Sequence, residues 1–207
     1  MEETIGKNIT RGGEFVVKET KCENIFSPED FSEEQKMMRD AVQEFADKEI
    51  WSKKEEFEKK NFELTLQVMK KAGELGFLGV GIPEAYGGLG MAFTSSMLVC
   101  DYISGSSGST STAFGAHTGI GTMPILLYGN EDQKIKYIPK LASGEYFGAY
   151  CLTEPGAGSD ANSGKTKAVL SNDKSHYLIS GQKIWISNAG FADILTVFAK
   201  IEDDKNL

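Results

Sequence analysis

The chain has 207 residues, with 22 Lys and Arg against 30 Asp and Glu, for a formal net charge of −8. That balance excludes a general nucleic-acid surface, which needs excess cations to displace counterions. A content of 40% hydrophobic and 25% charged residues excludes a wholly disordered chain.

No run approaches the roughly 18 consecutive apolar residues of a membrane helix, and Met1-Glu2-Glu3-Thr4 opens without an apolar stretch, so a cytoplasmic setting is expected. Cys22, Cys100 and Cys151 are odd in number and far apart, which suits neither a disulfide framework nor a zinc site. Reduced thiols and no metal are expected.

In chain order, residues 1–26 carry Gly12-Gly13 and no periodicity, and read as an arm. Ser32 and Gln35 form a capping box, after which Met38, Val42 and Phe45 recur at helical spacing to about Trp51. The charge run Lys53 to Lys60 reads as a solvated face. Leu64, Val68, Ala72 and Leu75 predict a second helix, with Gly76 as its left-handed cap. Phe77 to Gly90 is glycine-rich and reads as a shaped loop. From Ala85 to Asn130 the only formally charged residue is Asp101, which predicts a mostly interior segment of two helices, the second kinked or restarted at Pro124. Asn130 and Gln133 form another capping box, opening a helix through Ile138 that Pro139 distorts and Gly144 ends.

After Gly144 the period changes. Tyr146–Thr153, Thr166–Leu170, His176–Ser180, Lys183–Ser187 and Ile194–Lys200 are short and rich in β-branched and aromatic residues, and predict strands. Helices first and strands afterwards give an α+β chain: an all-helical domain over 27–145, then part of an antiparallel β-barrel over 146–207. A strand set this small leaves an apolar face uncovered, as in a piece of a longer protein.

Two segments carry chemistry. Tyr150-Cys151-Leu152-Thr153-Glu154-Pro155-Gly156-Ala157-Gly158-Ser159-Asp160 runs from a strand into a glycine loop. Gly156, Gly158 and Ala161 match a dinucleotide fingerprint in form, but no helical face follows, so that reading is rejected. The glycines can bring backbone N–H groups close to phosphate oxygens, and Ser159 can donate a hydroxyl; the other reading is a plain turn with an Asp cap. In Lys183–Ser187, alternation along a strand would set Trp185 and Ser187 on one face, an aromatic wall beside a hydroxyl suited to a planar cofactor, or simply packing. Thr153 and Ser187 together could donate to one ring edge.

With Gly81–Gly88, Lys136–Glu145, Tyr150–Asp160 and Trp185–Asn188 in this order, the chain resembles the acyl-CoA dehydrogenases over about Phe31 to Lys200. Gly115-Ala116-His117 and Ala192–Lys200 look most like the very-long-chain branch. The resemblance implies a helical domain, a middle β-barrel and a C-terminal helical bundle, with FAD between the last two and the bundle absent here. It implies that Tyr150, Cys151, Leu152 and Thr153 line the flavin, with Thr153 donating to its N5/O4 side and Gly158 and Ser159 approaching its phosphates. Trp185 and Ile186 would pack at the ring, and Ser187, where many members have Thr, would donate to it. Ser159 would also touch the CoA thioester's tail, while Gly115, Ala116 and Gly119 would floor an acyl pocket deep enough for long chains, or serve as close helix contacts.

The implied reaction takes the α proton of an acyl-CoA with a glutamate and passes the β hydrogen to the flavin as hydride, within fatty-acid β-oxidation. No catalytic residue is assigned in this chain: the glutamate lies in the absent bundle, Glu154 and Asp160 have structural places in the loop, and the chain alone is expected not to turn over. His117 reads as a buried, hydrogen-bonded side chain. Electron-transfer flavoprotein is the implied acceptor and a homodimer or tetramer the implied assembly. Acyl-CoA oxidase and a non-catalytic helical scaffold remain alternatives.

Overall fold

In the computed structural model, residues 9–201 are described; the expectations for the first eight residues of the arm and for the tail from 202 lie outside them. Residues 9–26 run as two short 3₁₀ turns, Gly12–Val16 and Cys22–Asn24, joined where the Thr10 N–H donates to the Asn24 carbonyl at 2.8 Å.

Helix α1 (Glu33–Phe45) starts at the capping box: Ser32 Oγ accepts from Gln35 N at 3.2 Å, and Gln35 Oε1 accepts from Ser32 N at 3.0 Å. It continues through a wide turn, Ala46–Ile50, and a tight one, Trp51–Lys53. The charged run beyond is a short helix, α2 (Lys54–Glu58), solvated except at Phe57, which is buried. Helix α3 (Phe62–Glu74) is capped by Asn61 and closes over Leu75 onto Gly76 at φ +79°. That conformation strains any residue with a Cβ, which is why glycine stands there.

Residues 77–91 double back on themselves, with the Leu89 and Met91 N–H groups donating to Gly79 and Val80 carbonyls. Then come α4 (Phe93–Ser106), α5 (Gly108–Gly115), a wide turn Ala116–Gly121, and α6 (Met123–Tyr128), which Pro124 restarts. The charge-free stretch is only partly interior: Phe93, Met97, Ile120, Leu127 and Tyr128 are exposed. Absence of charge does not by itself produce burial. Helix α7 (Glu131–Ser143) keeps the Asn130/Gln133 capping box, holds Pro139 inside and ends on Gly144 at φ +75°.

The core joins Val42, Phe45 and Ile50 to Val68, Met69, Phe77, Val99, Ile103, Phe114 and Phe147, and a smaller group gathers Ile82, Ile138, Leu141 and Ala142. Each large side chain so buried contributes roughly 1.5–3 kcal/mol. This core belongs to the helices, and Phe147 carries it to the first strand.

The strands are β1 (Gly148–Cys151), β2 (Lys167–Leu170), β3 (Tyr177–Ser180), β4 (Ile194–Val197) and β5 (Lys200–Ile201). Helices followed by a small β region is the architecture expected. Pairing is mixed: β2–β3 is antiparallel as expected of the barrel, whereas β1–β4 and β2–β5 are parallel. Lys183–Ser187 forms no strand. It runs as extended chain into a turn at Ser187–Phe191, with Trp185 and Asn188 at φ +58° and +66°.

The two regions meet at a tight seam. A Cβ on Gly121 would stand 2.7 Å from the Gly148 backbone, so only glycines let the turn after α5 lie against β1. Beside them His117, fully buried, accepts from the Gly148 N–H at Nδ1 (3.1 Å), which leaves Nε2 to donate to the Leu141 carbonyl (3.0 Å). Burial lowers its pKa to about 4, so it is neutral near pH 7 and acts as a bridge between α7 and β1.

Candidate functional site

The glycine loop leaves the end of β1. Tyr150 and Cys151 belong to the strand. The Tyr150 ring packs on Phe198 with centroids 4.7 Å apart, and Cys151 is buried, its thiol pKa pushed up by desolvation. Leu152 and Thr153 are half-buried, and each offers its carbonyl to the Lys183–Trp185 segment: Leu152 O accepts from Lys183 Nζ at 3.0 Å, and Thr153 O accepts from Ile184 N at 3.0 Å. These bonds set the loop beside Trp185 without a strand between them.

At the base of the loop Glu154 is buried. Its carboxylate accepts from the backbone N–H groups of Lys165 and Thr166 (2.5 and 3.0 Å) and from Lys183 Nζ (2.8 Å). The Lys165 N–H first, and the Lys183 ammonium next, hold this carboxyl well below the usual carboxylate range. A carboxylate with all these donors is fixed as an anion and is a poor proton acceptor, in keeping with the structural place expected of it. Above it, Glu154 and Ala157 exchange two backbone bonds of 3.1 Å, which turns the chain.

The apex is different. Gly156 and Gly158 have no neighbour within 4 Å of where a Cβ would stand, and Ser159 and Asp160 are exposed. The chain returns through a single 3₁₀ turn, Ala161–Ser163, into β2. No helix follows the glycines, which agrees with rejecting the dinucleotide fingerprint.

Trp185 and Ser187 correct the strand-based geometry. Their positions come from a left-handed residue and a turn, so period-2 alternation does not apply; Trp185 is 88% exposed and Ser187 is exposed, while Ile186 is half-buried. A left-handed tryptophan is uncommon and needs fixing from both sides. Ile184 fixes one side through Thr153. Asn188 fixes the other, its buried amide donating from Nδ2 to the Ala113 carbonyl of α5 (2.9 Å) and to Gly148 O (3.4 Å). The turn bearing Trp185 and Ser187 is thereby tied to the helix that leads into Gly115, Ala116 and Gly119. Around Gly115 and Gly119 the space is open, whereas Ala116 is buried. Within the described residues, then, no close helix contact requires either glycine.

Sequence reasoning assigned no role to Lys183 or Asn188. Lys183 lies 29 residues from Glu154, and Asn188 lies 75 from Ala113, so neither partner falls within any local pattern.

The described part of the chain forms no helix long and apolar enough to cross a membrane. A family model described as the acyl-CoA dehydrogenase N-terminal domain matches residues 32–145, and one described as the middle domain matches 149–207. A probable acyl-CoA dehydrogenase of Bacillus subtilis is 44% identical over 198 residues, covering 96% of this chain and 33% of the relative. The very long-chain specific acyl-CoA dehydrogenase of Macaca fascicularis mitochondria is 47% identical over 138 residues, covering 67% of this chain and 21% of the relative. A crystal structure of an acyl-CoA dehydrogenase complexed with FAD, from Bacillus anthracis, superposes with a TM-score of 0.88 at 45% identity, covering 93% of this chain and 33% of that one. The chain spans about a third of the length of the first of these relatives and of the solved structure. With its helical and β regions both matched, the chain belongs to the acyl-CoA dehydrogenase family.

Proposed function

We propose that this chain supplies the helical domain (27–145) and the opening of the flavin-binding β domain (from 146) of an enzyme that dehydrogenates acyl-CoA thioesters at the α,β bond. The observation that carries the reading is the loop after β1, whose apex is open around Gly156 and Gly158 above a buried, hydrogen-bonded base. Glycines open on their Cβ side admit a close backbone approach to a phosphate, as FAD requires, and the exposed Trp185 offers a flat apolar surface.

In this reading Tyr150, Cys151, Leu152 and Thr153 form the wall for the isoalloxazine, Gly158 and Ser159 meet the phosphates, and Trp185, Ile186 and Ser187 close the ring's other side. Bound FAD supplies a hydride acceptor. The chain's own groups position and polarise: hydroxyl and backbone donors preorganised around a thioester carbonyl acidify its α carbon, an effect worth roughly 3–4 kcal/mol per donor by comparison with oxyanion holes. Ser159 touches the CoA thioester's tail, and Gly115, Ala116 and Gly119 leave depth for a long acyl chain, each buried methylene adding about 0.8 kcal/mol. Neither Glu154, locked by its donors, nor Asp160, at the exposed apex, is the proton acceptor. Electron-transfer flavoprotein as acceptor, assembly as a homodimer or tetramer, and fatty-acid β-oxidation complete the proposal. A cytoplasmic setting is proposed with it.

The test is the visible absorption spectrum of the protein at its native length, before and after addition of a long-chain acyl-CoA. A flavin spectrum that bleaches without air-driven recovery supports the dehydrogenase. Rapid recovery in air identifies an oxidase instead, and a colourless protein indifferent to acyl-CoA identifies a scaffold.

A further inference from the structure

We propose that Glu154 and Lys183 form a strap that sets the shape of the glycine apex for FAD, acting as positioning residues rather than as part of the reacting groups. This deepens the flavin reading above and rests on it.

Three segments converge on the pair. Glu154 itself follows β1. Its carboxylate gathers the N–H groups of Lys165 and Thr166, where the chain returns towards β2, and binds Lys183, whose ammonium reaches back to Leu152 O. Lys183 stands two residues before Trp185, and the intervening Ile184 is tied to Thr153. One ion pair therefore closes the base of the loop and fixes where the Trp185 segment starts. Both side chains are largely buried, at 8% and 13% exposure, so solvent does not compete strongly for them. Gly164 completes the fit: a Cβ there would lie 3.2 Å from Glu154 Oε1, crowding the carboxylate.

Between the two ends of this base the chain carries Gly156, Gly158, Ser159 and Ser163; Ser163 Oγ donates to the Gly156 carbonyl at 3.3 Å, while nothing lies within 4 Å of where a Cβ would stand on Gly156 or Gly158. Such a segment loses much conformational freedom when a ligand orders it, and the loss is smaller when the ends are already held. A loop fastened this firmly below and left empty above is preorganised for a ligand.

The test compares Glu154→Gln, Lys183→Met and Lys183→Arg in the native-length protein, by FAD dissociation constant from flavin fluorescence, by the visible flavin band, and by amide hydrogen exchange over residues 155–164. Loss of one charged hydrogen bond predicts about a tenfold weaker FAD complex for Glu154→Gln and for Lys183→Met, with faster exchange in the loop and none in α1 or α7. Lys183→Arg keeps a cation and restores FAD binding to within about threefold. That rescue separates the strap from mere filling of space. If Glu154→Gln fails to fold, the Lys183→Met and Lys183→Arg pair decides alone. Variants that bind FAD within about twofold of unaltered protein, with unchanged loop exchange, overturn the strap and leave the flavin reading standing. Unaltered protein that takes up no FAD overturns the flavin reading, and the strap's assignment to FAD falls with it.

Discussion

Two glycine-rich loops in this chain have similar composition and opposite reasons for it. In residues 76–91 the glycines are demanded by the chain's own atoms: a Cβ on Gly88 would stand 2.1 Å from the Ile82 carbonyl oxygen, and Gly76, Gly87 and Gly90 all have positive φ. In residues 154–164 a Cβ on Gly156 or Gly158 would meet nothing within 4 Å. The first loop is folded tightly onto its own backbone, although most of residues 83–90 are exposed. On the function proposed above, the second keeps its apex glycines open for a ligand, and the contrast would then separate glycines kept for packing from glycines kept for binding.

The sharpest way to break this contrast is Gly88→Ala. Its obstacle is backbone, not a yielding side chain, so a loss of ~3 kcal/mol or more is expected, lowering Tm by about 10 °C in a chain of this size. A melting curve followed by circular dichroism decides it; an unchanged Tm would remove the distinction.

Next in size is the pH response of the seam. His117 titrates near 4 in the folded protein against about 6.5 in the unfolded chain, so the unfolded state takes up the proton first. Stability is therefore full above pH 6.5 and declines as pH falls towards 4, by about 3 kcal/mol. The Glu154 carboxylate, depressed rather than simply buried, adds its own loss at still lower pH. Urea titrations at neutral pH and near pH 4 should show His117→Gln flattening the upper part of this decline, since glutamine keeps a donor and an acceptor but does not titrate.

The smallest effect belongs to the open loop. Gly156→Ala should change stability by less than about 0.5 kcal/mol, because its Cβ enters empty space and its φ is not left-handed. A large destabilisation, measured in the same melts, would mean that the apex is packed after all.

Much of the helical region was legible from short-range chemistry. Ser32 with Gln35, Asn130 with Gln133, Gly76 and Gly144 act over one turn, and each does in the structure what its position in the sequence announces. The Lys183–Ser187 segment was not legible. Its β-branched and aromatic residues favour a strand, yet the Lys183–Glu154 and Asn188–Ala113 bonds bend it into a turn and carry Trp185 to positive φ. Tertiary partners override propensity there, and partners 29 and 75 residues away leave no trace in spacing. The geometry proposed for Trp185 and Ser187 was not readable in the sequence, because alternation along a strand was the wrong rule for them.

The meeting of Gly121 with Gly148 bears on how such proteins can be recombined. With a Cβ 2.7–2.9 Å from the opposing backbone at either position, no wedge of any size fits, and the registration of one half on the other is set to a fraction of a side chain. A chimera that grafts the helical half of one relative onto the β half of another must transplant these two glycines together with His117 and Asn188 as a single cassette. Splicing through the middle of that cassette would displace the turn after α5 from the segment that carries Trp185, even with every residue of both segments unchanged.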